Sequence, residues 1–236
     1  MLFQREHHQS IAQILLSLNG TLLRENRCWF GGGTAMAMRF GEYRESVDMD
    51  FLVSDSSCYR NLRQLIRERG IAALVRDDAP PLLLARDVRI DQYGIRTMLQ
   101  AEEAQIKFEI IAEGRLDLQP PKRTDQIGNV STLCPLDMAA GKLLANSDRW
   151  ADDGIFNRDL IDLAMMRASS KLLQQAVEKA QQAYGTSILE DLDNAIRRFQ
   201  EREFWLDRCI TALDIRLPKS VLWQRIRSLS RLLTRS

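Results

Sequence analysis

Apolar residues recur at helical spacing through Ile11, Ile14, Leu15, Leu18 and Leu22, which predicts an amphipathic helix over residues 5–25. The short apolar run Cys28-Trp29-Phe30 then stops at Gly31-Gly32-Gly33, and Thr34 opens a second short helix, from Ala35 to about Phe40. From Val47 to Val53 the period changes to two, with Val47, Met49 and Phe51 on one face and Asp48 and Asp50 on the other, the pattern of a strand. Residues 59–69 read as helix. Leu82–Ala85, Arg96–Gln100 and Ile106–Ile111 are short, partly alternating segments between turn residues, and they predict strands. Beyond a loop at Pro120-Pro121-Lys122-Arg123, Pro135 suits the first turn of a helix running to about Asn146. Further helices are expected over 157–168, 170–184, 187–201, 203–213 and 218–234. The order predicts an α+β protein, with an α/β core containing a mixed sheet over residues 1–133 and a helical domain over 134–236. There is no internal repeat and no low-complexity segment.

Length and composition narrow the class. At 236 residues and 45% hydrophobic, the chain can bury a sizeable core. Its 33 basic and 32 acidic residues give no overall nucleic-acid-binding signature, although a local basic patch is compatible with them. The four cysteines, Cys28, Cys58, Cys134 and Cys209, are scattered and lack metal-ligand spacing, which fits a reducing, cytoplasmic location. His7 and His8 are the only histidines and lie in a polar stretch, so a histidine-based hydrolase triad is not expected. No apolar run approaches the ~20 residues of a membrane span, and Met1 leads into a charged segment rather than a signal peptide.

The candidate chemistry centres on Asp48 and Asp50. Residues i and i+2 of a strand share a face and lie about 7 Å apart. Two carboxylates there repel unless a cation lies between them, and Mg²⁺ needs only one or two carboxylates plus substrate phosphates. Glu109 lies in a second acidic strand, Gln105 to Ile111, sharing a face with Lys107. If the two strands are neighbours, the three carboxylates form a cluster able to hold two metals about 3.5–4 Å apart for in-line displacement at phosphorus. The Gly31-Gly32-Gly33-Thr34 turn at a helix start would let backbone N–H groups approach a phosphate. Lys142 could neutralise a triphosphate, and Arg158-Asp159 opens a further helix. On the residues alone, plainer readings stay open: a solvated strand face for the Asp pair, a surface charge for Glu109, a flexible glycine turn, a solvated Lys142, and a favourable first-turn charge for Asp159. Asp191 and Asp193 repeat the acidic spacing on what reads as a helix surface.

Taken together, Gly32-Gly33-Thr34-Ala35, Arg44-x-Ser46-x-Asp48-x-Asp50-Phe51, Lys107-x-Glu109, Lys142 and Arg158-Asp159-x-x-Asp162 resemble the AbiEii/AbiGii toxin family of nucleotidyltransferases. The resemblance covers roughly residues 28–165 and is most specific from Gly31 to Phe51. It implies a polymerase-β-like core followed by helices, NTP and Mg²⁺ (or Mn²⁺) as cofactors, and toxin activity in type IV toxin–antitoxin or phage-abortive systems. Some relatives transfer nucleotides to tRNA acceptor ends. Carried over, Gly32, Gly33 and Thr34 would hold the triphosphate with Ser46 close by. Asp48 and Asp50 would be metal ligands, and Glu109 the third acidic position, as ligand or base. Lys142 would match the phosphate-binding lysine and Asp159 the downstream acidic residue. The segment between Lys142 and Arg158 is longer than in the shortest family versions.

From Arg216 to Ser236 the chain carries Arg216, Lys219, Arg225, Arg227, Arg231 and Arg235 and no acidic residue, with Val221, Leu222, Ile226, Leu229 and Leu233 as an apolar stripe. This is a packed terminal helix with a solvated basic face, a patch for phosphate backbone or, third, a face for adhesion to a membrane surface. The expected activity is therefore nucleotide transfer to RNA, with tRNA the expected acceptor and a cognate antitoxin a possible protein partner. The alternatives are a small-molecule nucleotidyltransferase of the antibiotic-modifying kind and a catalytically silent interaction module of the same fold.

Overall fold

Alternation of buried and open positions builds the sheet. In the computed structural model, which describes residues 3–101 and 104–235, the chain divides into two units. One comprises residues 1–42 and 46–134, the other residues 43–45 and 135–236. The first unit contains α1 (Glu6–Ser17), α2 (Gly20–Glu25), β1 (Trp29–Gly31), α3 (Gly32–Arg39), β2 (Met49–Val53), α4 (Ser56–Arg69), β3 (Leu83–Ile90), β4 (Gly94–Ala101), β5 (Ala104–Ala112), β6 (Gln126–Ile127) and β7 (Val130–Ser131). The single helix expected over 5–25 is two. Leu18 is extended and the Asn19 side chain accepts from the Leu22 N–H, so a local cap restarts the helix although the apolar period runs on.

The strands lie in the order β1-β2-β5-β4-β3. Only the β2–β5 pair is parallel; β1–β2, β5–β4 and β4–β3 are antiparallel. The sheet is thus mixed, and the two acidic strands are neighbours. One face supplies the core: Met49, Phe51 and Val53 of β2 and Ile106, Phe108 and Ile110 of β5 are buried. Phe51 lies between Phe30 and Phe108, with ring centroids 5.3 Å away on each side, a spacing at which aromatic pairs add to simple area burial. The other face carries Asp50, Lys107, Glu109 and Arg96. β2 begins at Met49 rather than Val47, so Asp48 stands immediately before the strand.

The second unit holds α5 (Pro135–Arg149), α6 (Arg158–Met165), α7 (Ser170–Tyr184), α8 (Ser187–Glu201), α9 (Trp205–Ala212) and α10 (Lys219–Ser228), with a 3₁₀ turn over Leu229–Arg235. Its core includes Leu143, Leu144, Leu160, Ile161, Leu192, Ile196, Trp205, Leu222 and Ile226. The terminal apolar stripe packs through Leu222, Ile226 and Leu229, while the expected helix over 218–234 gives way to the 3₁₀ turn after Ser228. Three residues from early in the chain, Tyr43, Arg44 and Glu45, belong to this unit. Among the described residues no helix is long and apolar enough to cross a membrane.

Candidate active site

The glycine turn and the acidic strands meet through sheet register. Gly31 of β1 pairs with Asp50 of β2, which pairs with Glu109 of β5. Adjacent strands are about 4.8 Å apart, so the Asp50 and Glu109 carboxylates start from neighbouring positions on one face. Gly32 has φ +68°, and a Cβ built on it would come within 2.3 Å of Asp50 Oδ2. That glycine is therefore required twice, for its backbone conformation and for the closeness of the carboxylate. α3 begins at Gly32 rather than Thr34, which sets the Asp50 carboxylate against a helix N-terminus, where negative charge is favoured. Gly33 lies in the first turn. Thr34, buried in the same turn, donates its hydroxyl to Ser46 Oγ at 2.8 Å and ties the turn to the segment entering β2.

Glu109 is held by two cations. Arg96 Nε of β4 donates to Glu109 Oε1 at 2.9 Å, and the Lys107 ammonium pairs with Glu109 Oε2. Partial burial acts to lower the Lys107 pKa, but Glu109 beside it, with Asp50 and Asp48, raises it above the usual lysine value. All three carboxylates thus act on one ammonium. Among the described residues no group of three acidic, His or Cys side chains is arranged to hold a metal ion as it stands. The donor set is nevertheless all carboxylate oxygen, the kind a hard divalent cation takes. Asp48 and Asp50 meet the one-or-two-carboxylate need of Mg²⁺ without Glu109.

A second group of expected residues lies in the helical unit. Lys142, expected as the phosphate-binding lysine with a solvated helix lysine as the plainer alternative, is buried, with Nζ 2.9 Å from Asp159 Oδ1 and 2.6 Å from Asp162 Oδ2. Arg149 also pairs with Asp159, through Nε at 2.7 Å and Nη2 at 3.0 Å. Arg44 forks onto Asp162 through Nε at 2.6 Å and Nη2 at 2.8 Å, and the Tyr43 hydroxyl donates to the same carboxylate at 2.7 Å. Burial pushes both carboxyls up, but the cations outweigh it: Lys142 and Arg149 hold Asp159, and Arg44 and Lys142 hold Asp162, below the usual carboxylate range. α6 is aimed by a constrained turn. Phe156 and Asn157 both have positive φ, 53° and 47°, and Asn157 bonds the Trp150 carbonyl and the Trp205 indole.

Sequence reasoning did not assign Arg96, Arg149 or Tyr43 to this chemistry. For Arg149 a signal exists, since Lys142 and Arg149 are seven apart and share a helix face. Arg96 has none, because its meeting with Glu109 depends on antiparallel register.

A glycine turn opening a helix beside Asp50 and Glu109 on a mixed sheet is the layout expected of a nucleotidyltransferase. Two solved structures share the fold. MenT4, a nucleotidyltransferase toxin from Mycobacterium tuberculosis H37Rv, is 18% identical with a TM-score of 0.51, over 98% of this chain and 83% of that one. A protein from H. pylori described as a candidate nucleotidyltransferase is 14% identical with a TM-score of 0.50, over 96% of this chain and 92% of that one. No curated protein matches the chain. The profile of the family described as nucleotidyl transferase AbiEii toxin, Type IV TA system, matches residues 14–224. The chain belongs to that family and is a nucleotidyltransferase toxin.

Proposed function

We propose that the protein transfers a nucleotide from an NTP to an RNA acceptor, with tRNA the intended target, in the cytoplasm and under the control of a cognate antitoxin. The observation that carries the chemistry is the register row Gly31–Asp50–Glu109, with Asp48 immediately before the strand that holds Asp50. The resemblance to a family in which some relatives transfer nucleotides to tRNA acceptor ends supports the acceptor. Asp48 and Asp50 would hold Mg²⁺ or Mn²⁺, which would supply charge neutralisation for the triphosphate and activation of the acceptor hydroxyl.

The chain's own residues have distinct tasks. Gly32, Gly33 and Thr34 present the start of α3 to the triphosphate, and Ser46 steadies that turn through Thr34. The acceptor hydroxyl gives up its proton, its oxygen bonds the α-phosphorus, and the bond to pyrophosphate breaks. Glu109 is the proposed base for that proton or a third ligand; in either role it must loosen its hold on Lys107 and Arg96. Lys142 is proposed to meet phosphate. An ammonium has three donors, and Asp159 and Asp162 engage it without exhausting them. Asp159 is proposed to fix its position.

The test is transfer from each of the four labelled nucleotides, offered separately with tRNA or with small hydroxyl compounds. Asp48→Asn and Asp50→Asn should each lower transfer by at least ~100-fold, since metal-assisted charge stabilisation is worth several kcal/mol. Both side chains are half-buried rather than core, so the melting temperature should hold. Near-parental transfer by either variant would sink the assignment. Labelling of a small hydroxyl compound in place of tRNA would move the acceptor to the small-molecule class.

A further inference from the structure

The row that joins Gly31, Asp50 and Glu109 continues across the sheet. Glu109 pairs with Arg96 of β4, and Arg96 pairs with Arg89 of β3. Two residues along, Lys107 pairs with Met98, and Met98 with Arg86. The open face therefore changes sign from one side to the other, from carboxylates on β2 to guanidinium groups on β3.

Two features of the basic side are not explained by folding. Arg89 and Arg96 are directly opposite each other on antiparallel strands, an arrangement of like charges that destabilises a sheet. Arg96 is shared between Glu109 and Asp91, but among the described residues neither Arg86 nor Arg89 has an acidic partner, and both are exposed. The second feature is a register shift between Arg86 and Arg89, whose β4 partners Met98 and Arg96 are only two residues apart. In an unbroken strand, residues three apart face opposite ways. The irregularity places both arginines on the face of Lys107 and Glu109, and re-aiming a side chain is a known use of bulges near active sites. By contrast, several cations of the terminal segment are already engaged: Arg216 with Asp214, Lys219 with Asp207, and Arg225 with Met165 Sδ.

We infer that Arg86 and Arg89, with Arg96 and Lys107 beside Glu109, form a track for the phosphates of the RNA acceptor just upstream of its reacting end. The inference rests on the RNA reading proposed above. β3 lies two strand spacings from β5, roughly 10 Å, so the guanidinium groups flank the carboxylates without occupying their place. Such contacts position the acceptor and read no sequence. Exposed arginines on an edge strand also oppose edge-to-edge pairing, but that role needs no common face and no like-charge opposition across the ladder.

The experiment compares the full chain with its Arg86→Glu/Arg89→Glu variant, using fluorescently labelled tRNA at several salt concentrations and labelled-NTP transfer. Removing two phosphate contacts should lower the slope of log affinity against log salt by about 1.4, taking ~0.7 per contact on a single strand. KM for tRNA should rise at least ~tenfold while KM for NTP stays the same. Thermal melts should hold or rise slightly, because both side chains are exposed and Arg89→Glu ends the like-charge opposition to Arg96; Arg89→Gln alone, which removes one cation and its phosphate contact, gives a milder variant with the same expected direction. An unchanged slope and KM for tRNA, in a protein that labels tRNA, overturns this surface and leaves the RNA reading standing. A rise in KM for NTP with tRNA binding intact overturns it also, by assigning the arginines to the triphosphate. Wild-type protein that labels a small hydroxyl compound and no tRNA overturns the RNA reading, and this surface with it.

Discussion

At Gly32 a single hydrogen in place of a methyl group decides where a carboxylate can stand. An alanine there would put its Cβ 2.3 Å from Asp50 Oδ2 at a φ of +68°, so Gly32→Ala should displace Asp50 and strain the turn. The expected result is a stability loss of about 1 kcal/mol or more, with a disproportionate fall in transfer at saturating NTP. Equal transfer by mutant and parent would remove the glycine from the site. Lys142 carries the opposite lesson. From its helical position alone, Lys142→Ala is expected to weaken NTP binding more than folding. Its burial between Asp159 and Asp162 reverses that order. Losing one partner of a buried ion pair costs about 3–5 kcal/mol, so the variant should show a clear drop in urea midpoint before any ligand is added. An unchanged midpoint would mean that the buried network does not need its lysine.

The elements themselves show what the sequence makes legible. β2 and β5 were readable because buried apolar residues alternate there with charged or open positions, and their adjacency was expected from that match, though its parallel sense was not. β3 was readable only over Leu82–Ala85, because register irregularities between Leu84 and Arg89 break the period of two on which the reading depends. The α1–α2 break was hidden because a cap at Asn19 leaves the spacing of Leu15, Leu18 and Leu22 intact. Asp159 and Asp162 were visible as a motif on α6, but their pairing with Lys142 and Arg149 on α5 and with Arg44 is tertiary, and no spacing within one element shows which groups meet. That packing has a consequence for acid stability. Both carboxyls titrate below the usual range when folded, and an unfolded Asp titrates near ~3.9. Their contribution is fully present above that value and is lost as the pH falls below it toward the folded pKa values. Urea midpoints followed by tryptophan fluorescence should therefore decline below about pH 4. Trp150, Trp205 and Trp223 all report on the helical unit. Asp162→Asn should start lower and decline less steeply; an acid limb parallel to the parent's would show that Asp162 does not titrate in this window.

For the molecule as a whole, the family match over residues 14–224 spans both units, so the nucleotidyltransferase assignment belongs to the entire chain rather than to the sheet alone. Along the chain the expected division falls at 133/134, whereas the spatial units comprise residues 1–42 with 46–134 and residues 43–45 with 135–236. A gene cut after Cys134 would therefore not yield two self-sufficient products. The shorter fragment would contain Asp162 without Arg44 and Tyr43, and the longer would carry that arginine without its carboxylate. Co-expressed, the two pieces should recover transfer activity only when the longer one keeps Arg44, and Arg44→Ala in that piece should abolish the recovery. Recovery without Arg44 would refute the dependence. A toxin built this way is hard to divide by recombination, since no single crossover separates its units cleanly, and it offers a natural place to make its activity conditional on two separately controlled genes.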